Sequence, residues 1–189
     1  MKLAEAKQPR THRWNTDEYL QLGELGCFAG RRVELLDGRI IDIPPQKNSH
    51  VFSVQRTVEV LTRIFGANFW VRSQATLKLG RRGAPDPDVA VVAGAARPGN
   101  SYPTNAVLIL EISDATLGYD RDRKSRTYAR AAITDYWIVN LVDRRLEVFR
   151  DPTSDPLPHY RTITQFRLDE SIAPLAAPDH PIAVRSLFE

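Results

Sequence analysis

The stretch AVLILEIS, residues 106–113, constrains the fold more than any other segment. Its apolar run lacks alternation, so it reads as a strand covered on both faces, in the interior of a sheet with helices packed on it. One acid interrupts the run, Glu111. An unpaired buried carboxylate costs several kcal/mol, roughly. Whatever else the chain does, its fold must bring Glu111 a partner.

The flanking segments supply the layers. Thr16, followed by Asp17 and Glu18, predicts a capped short helix. In RRVELLDGRIIDI the pair Asp37-Gly38 predicts a hairpin, because a primed two-residue turn needs positive φ. Pairing Leu36 with Arg39 then sets Glu34 opposite Ile41. Asn48 or Ser49 is expected to cap a second helix, with Val51, Val54, Val58, Leu61 and Phe65 at helical spacing. WVRSQATLKL, DVAVV and AVLILEIS read as an antiparallel meander, the last two joined by the loop GAARPGNSYPTN. A helix starting near Asp120 carries Tyr128, Ala129, Ala132 and Ile133 inward and crosses over to DYWIVNLV in parallel; RLEVFR follows. The expected architecture is α/β: a mixed β-sheet flanked by helices, with an added N-terminal helix and β-hairpin. The chain reads as a single domain, its core at about 48–150, the helix–hairpin extension at about 14–44, and a proline-rich, irregular tail with short strands at 151–189.

Composition narrows the class. A chain of 189 residues is long enough to bury a core. The net charge of +3 and pI of about 9.2 suit a polyanion partner without requiring one. The single cysteine, Cys27, excludes an internal disulfide and reads as a small buried residue. The N-terminus has no apolar targeting segment and no run approaches a membrane span, so a cytoplasmic protein is expected.

The meander makes a chemical prediction. Antiparallel pairing sets the start of DVAVV beside the end of LILEIS, so Asp88 and Glu111 become neighbours. Adjacent carboxylates persist when a cation, a shared proton or basic side chains neutralise them. Oxygen-only ligands suit Mg²⁺, with Mn²⁺ as a substitute, and no zinc-spaced Cys/His cluster exists. A metal with a lysine is a pattern for phosphodiester hydrolysis.

The segments PDPDVAVV, LILEIS and DRDRKSRTYARAAITDYWIVN, with VELLDGRI in the hairpin, resemble the Uma-two family of restriction endonucleases within the PD-(D/E)XK nuclease superfamily. The resemblance implies a restriction-endonuclease-like fold and Mg²⁺-dependent cleavage of DNA. It implies that Asp88 and Glu111 hold the metal with the carbonyl of Ile112, and that Lys124 serves the attacking water. Asp86 rivals Asp88, since PDPD holds the proline–aspartate pair twice; Asp88 is preferred because the strand starts directly after it. The plain motif would place the lysine at position 113, which is Ser113 here; the resemblance supplies Lys124 from the following helix. Glu34 and His50 match assisting positions, and Gln74, Arg121 and Tyr128 are expected to contact substrate. A homodimer is expected on the ground that two sites cut both strands of a duplex. The alternative is a catalytically idle nuclease fold acting as a DNA-binding or assembly module.

Overall fold

A computed structural model of the chain describes residues 10–96, 98–99 and 101–189. Residues 1–9, expected to carry no targeting segment, and Arg97 and Asn100 of the long meander loop lie outside the described residues.

A six-stranded sheet runs in chain order: β3 (Phe69–Ser73), β4 (Val89–Ala93), β5 (Leu108–Ser113), β6 (Asp135–Asn140), β7 (Arg145–Thr153) and β8 (His159–Arg167). All neighbours pair antiparallel except β5 and β6, which are parallel. The crossover between them holds α3 (Leu117–Tyr119), a π-helical turn (Asp120–Lys124) and α4 (Ser125–Arg130). Ahead of the sheet stand α1 (Thr16–Glu24), the hairpin of β1 (Val33–Leu36) and β2 (Arg39–Asp42), and α2 (Asn48–Phe65). A small ladder of β9 (Ser171–Ile172) and β10 (Ile182–Ala183) closes the chain. No described helix is long and apolar enough to cross a membrane.

Strand β5 is covered on both faces, as its unbroken apolar run requires. Leu108, Leu110 and Ile112 pack with Val54, Leu61 and Phe65 of α2 and with Trp137 and Leu187. Ile109 points the other way, onto Tyr128, Ile133 and Tyr136. Fully burying one such aliphatic side chain contributes about 1.5–3 kcal/mol. The same alternation turns Glu111 towards the layer that carries the crossover helix.

The hairpin has the predicted register, Glu34 opposite Ile41 and Leu36 opposite Arg39. Asp37 and Gly38 both take positive φ, 52° and 70°. A Cβ at Gly38 would lie 2.9 Å from the Trp14 carbonyl oxygen, so glycine is needed for space as well as for conformation.

Several local expectations change. Asn15, not Thr16, caps α1: its side chain accepts from Glu18 N at 3.0 Å while Glu18 accepts from Asn15 N at 2.8 Å. Thr16 instead donates to the Gly80 carbonyl at 2.9 Å. Neither Asn48 nor Ser49 caps α2, which starts after Lys47 without a side-chain cap. The strand read from WVRSQATLKL stops at Ser73, because Gln74 takes φ 50° and gives its N–H to the Pro87 and Asp88 carbonyls. Cys27 is exposed rather than buried. Where an irregular tail was expected, β7 continues to Thr153 and β8 adds nine residues to the sheet. The tail is also fastened from inside: buried Asp135 accepts from Leu175 N at 2.8 Å, Arg150 Nε at 2.8 Å and Trp137 Nε1 at 2.6 Å.

Candidate active site

The antiparallel pairing of Val89 with Leu110 sets Asp88 beside Glu111. The contact is direct: the Asp88 N–H points at Glu111 Oε2 at 3.4 Å, and the Ile112 N–H donates to Asp88 Oδ2 at 2.9 Å. Each carboxylate thus leans on the other's strand. Both are buried, 7 % and 2 % exposed.

Glu111 finds the partners its burial demands in the crossover helix. Lys124 Nζ lies 2.9 Å from Glu111 Oε1, and the Tyr128 hydroxyl donates to the same oxygen. The lysine also reaches Glu34 Oε1 of β1 at 3.3 Å. The ammonium is therefore shared between the central sheet and the hairpin. Burial alone would lower its pKa, but Glu111, Glu34, Asp120 and Asp88 outweigh burial and hold Lys124 well above its ordinary value. One ammonium cannot neutralise so many acids. Burial raises Glu111 well above the carboxylate range; Lys124 offsets this in part, and Asp88, Asp120 and Glu34 push it further up. Burial likewise raises Glu34, with Lys124 offsetting it in part and Asp86 and Asp88 adding to it, and its Oε2 is buried with no hydrogen-bond partner.

Asp88 behaves differently. Burial works against its charge, but the hydrogen bond and charge of His50, the charge of Lys124 and the Ile112 amide hold its carboxyl below the usual range. Asp88 Oδ1 lies 3.0 Å from His50 Nε2, 3.3 Å from Gln46 Nε2 and 3.4 Å from Gln74 Nε2. The positive φ at Gln74 that ends β3 is what turns the chain alongside Asp88.

These groups face one cavity of about 380 Å³ between the hairpin, the start of α2 and the end of β5. Seven carboxylate side chains line it, against the cations Arg32, Lys47 and Lys124. Buried Asp86 Oδ1 on its wall has no hydrogen-bond partner, and burial raises the Asp86 carboxyl. A surplus of hard oxygen donors, two of them orphaned, fits a small divalent cation. No group of three or more His, Cys, Asp or Glu side chains converges on one point among the described residues. Asp88 and Glu111, on adjacent strands, could hold such a cation with backbone oxygen and water completing the shell, and the orphaned oxygens on the same wall belong to Glu34 and Asp86.

The family model described as "Putative restriction endonuclease", Uma2, matches residues 16–184. The chain belongs to the Uma2 family. Among solved structures, a "putative nuclease belonging to DUF820" from Anabaena variabilis is similar in fold: TM-score 0.72 and 16% identity, over 92% of this chain and 97% of that one. No curated protein matches significantly.

In this Uma2 chain, Asp88, Glu111, Lys124, Glu34, His50 and Ile112 all line the cavity, and Gln74 reaches it through Asp88. Two residues expected at the substrate lie elsewhere. Arg121 is held by Glu147 of β7, Nε to Oε2 at 2.8 Å and a second nitrogen to Oε1 at 2.6 Å, and does not line the cavity. Tyr128 is fully buried, so its hydroxyl serves Glu111 rather than a substrate. The sequence reading missed Gln46 and Asp120. Gln46 sits in a loop with no periodic signal. Asp120 accepts from Ser113 Oγ at 2.7 Å and Thr116 Oγ1 at 2.8 Å, tying the end of β5 to the start of the crossover; the signal for it was the serine standing where the plain motif has lysine.

Proposed function

We propose that this Uma2 protein is a Mg²⁺-dependent DNA endonuclease, with Mn²⁺ able to replace Mg²⁺. The observation that carries the proposal is the meeting of Asp88 and Glu111 from antiparallel strands, with Lys124 Nζ 2.9 Å from Glu111, on the wall of one cavity. Asp88, Glu111 and the carbonyl of Ile112 would hold the cation, which supplies an acidified water and neutralises charge on the phosphate. Lys124 orients the attacking water and steadies the charge that develops on the scissile phosphate. Glu34 fixes the lysine from the far side, and His50, Gln46 and Gln74 fix Asp88. Cleavage of both strands of a duplex in the cytoplasm is assigned to a homodimer, whose two-fold symmetry matches that of the duplex.

Purified protein is expected to nick supercoiled plasmid in Mg²⁺ or Mn²⁺ and to stop on chelation. The rate has a signed pH dependence. Glu111 must be ionised to hold a cation and its carboxyl lies above 4.5, so nicking falls on acidification along a limb above pH 4.5. Cation binding displaces that one proton, so a tenfold rise in Mg²⁺ should move the limb down by about one pH unit. A limb indifferent to Mg²⁺ would remove Glu111 from the metal site. Duplex binding without nicking in either metal would favour the idle-module reading.

A further inference from the structure

The cavity carries more acid than base, so on its own it repels a phosphate backbone. Affinity for DNA must come from outside it. The turn end of the hairpin carries the opposite charge. A trough of about 490 Å³ there is lined by Arg13, Arg39, Arg82, Arg123 and Arg130, with Asp37 as the one acid. It adjoins two smaller depressions that share Arg82 with it and add Arg81.

The pairing of these arginines sets them apart. Many arginines elsewhere face carboxylates, as in Arg31–Asp42, Arg144–Glu189 and Arg150–Asp135. In the trough Asp37 occupies Arg130 with its carboxylate and Arg13 with its carbonyl. Among the described residues Arg39 and Arg82 have no side-chain partner, and Arg123 has only Asp122 at 3.8 Å.

The trough also lies next to the cavity along β2 and the crossover helix. Arg39 and Ile41 lie on one face of β2, since both pair with same-face residues of β1, and Ile41 lines the cavity. Two residues of strand span about 7 Å, the axial rise of about two nucleotides on one strand. Arg123 and Lys124 are neighbours on the crossover helix, the first lining the trough and the second the cavity.

We propose that this arginine trough is a docking track for the phosphate backbone of duplex DNA next to the scissile bond, and the proposal rests on the endonuclease reading above. Contacts of this kind neutralise phosphates and do not read bases. They give sequence-independent, salt-sensitive affinity that needs no metal.

The test is equilibrium binding of a labelled duplex to the full chain in EDTA across a salt series. Parent protein is compared with the triple variant R39A/R82A/R123A and with R39K/R82K/R123K. Losing three phosphate contacts should weaken binding at least about tenfold at 0.1 M salt. It should also flatten the slope of log K against log salt by about 2.7, at about 0.9 per contact. The lysine triple should keep the parent slope. A parent that does not bind, or an alanine triple with the parent's slope, would overturn the track. So would a duplex RNA of equal length losing affinity where DNA does not. The endonuclease reading is judged separately, by plasmid nicking with Glu111→Gln: unchanged nicking removes that reading and leaves a flattened salt slope standing for the track.

Discussion

Lys124→Met protein is expected to lose nicking by about 10²–10³-fold and to be destabilised by about 3–5 kcal/mol near neutral pH. Both effects follow from one ammonium that serves two buried carboxylates, Glu111 at 2.9 Å and Glu34 at 3.3 Å. In the parent, the raised pKa of Lys124 contributes stability that is present below 10.5 and lost as pH rises through the folded-state value. Without the lysine, Glu111 and Glu34 lose the one influence that lowers both, and their already raised pKa values rise further. The folded state then binds protons the unfolded chain releases, so stability falls as pH climbs from the ordinary carboxylate range through the raised values. Urea unfolding should accordingly show a smaller deficit at pH 5 than at pH 8. Equal deficits would mean that the two carboxylates find other compensation. The double variant Lys124→Met/Glu111→Gln should recover much of the stability and none of the activity. A purely structural ion pair would recover both.

The rival aspartates separate on the second large effect. Asp88→Asn is expected to cost about three orders of magnitude in nicking, the scale of roughly 4 kcal/mol of lost charge stabilisation. Asp86→Asn is expected to stay within about tenfold of the parent. The two acids stand on the same wall, but their surroundings act in opposite senses. His50, Lys124 and the Ile112 amide keep Asp88 below the usual carboxylate range, whereas burial pushes Asp86 above it. The surroundings thus favour the charged form of Asp88 over that of Asp86. An asparagine at 88 cannot match it: one end of the amide must present hydrogens to the Ile112 N–H or to the donors around Oδ1. Single-turnover nicking by both variants at saturating Mg²⁺ decides the assignment, and a larger loss at Asp86 would reverse it.

The parts of this fold that were legible in the sequence are those fixed by strong local chemistry or by burial. Asp37-Gly38 dictated the hairpin register, and the unbroken run before Glu111 dictated a two-face-covered strand with a buried acid in need of a partner. Antiparallel pairing then brought Asp88 to it without any side-chain information. What escaped was decided by long-range partners. Strand β8, HYRTITQFR, is an edge strand with most residues exposed, so it carries no apolar alternation to read. Gln74 breaks β3 because its N–H finds carbonyls across the meander, which no local propensity reports. Arg121 sits in a basic run and looked free; its partner Glu147 is 26 residues away, on a strand read as ordinary sheet. Tyr128 faces the core as its helical spacing predicts, but it is too fully covered to touch a substrate, since periodicity tells which way a side chain points and not what covers it.

The crossover helix holds its three site-facing groups, Asp120, Lys124 and Tyr128, across a π-helical turn. In that turn the Ser125 N–H reaches back to the Asp120 carbonyl, five residues earlier. Such a turn is an α-helix with one residue too many. Its removal would restore regular winding and, because the wide turn absorbs the extra residue, leave the helix beyond it in phase. Loss of a single in-frame codon between Asp120 and Lys124 is therefore expected to spare the sheet, the hairpin, both acids and the place of Tyr128 against Glu111. For this chain, one residue of length is expendable at that turn, whereas the same loss in the regular winding of α4 would turn Tyr128 by about 100° relative to Lys124.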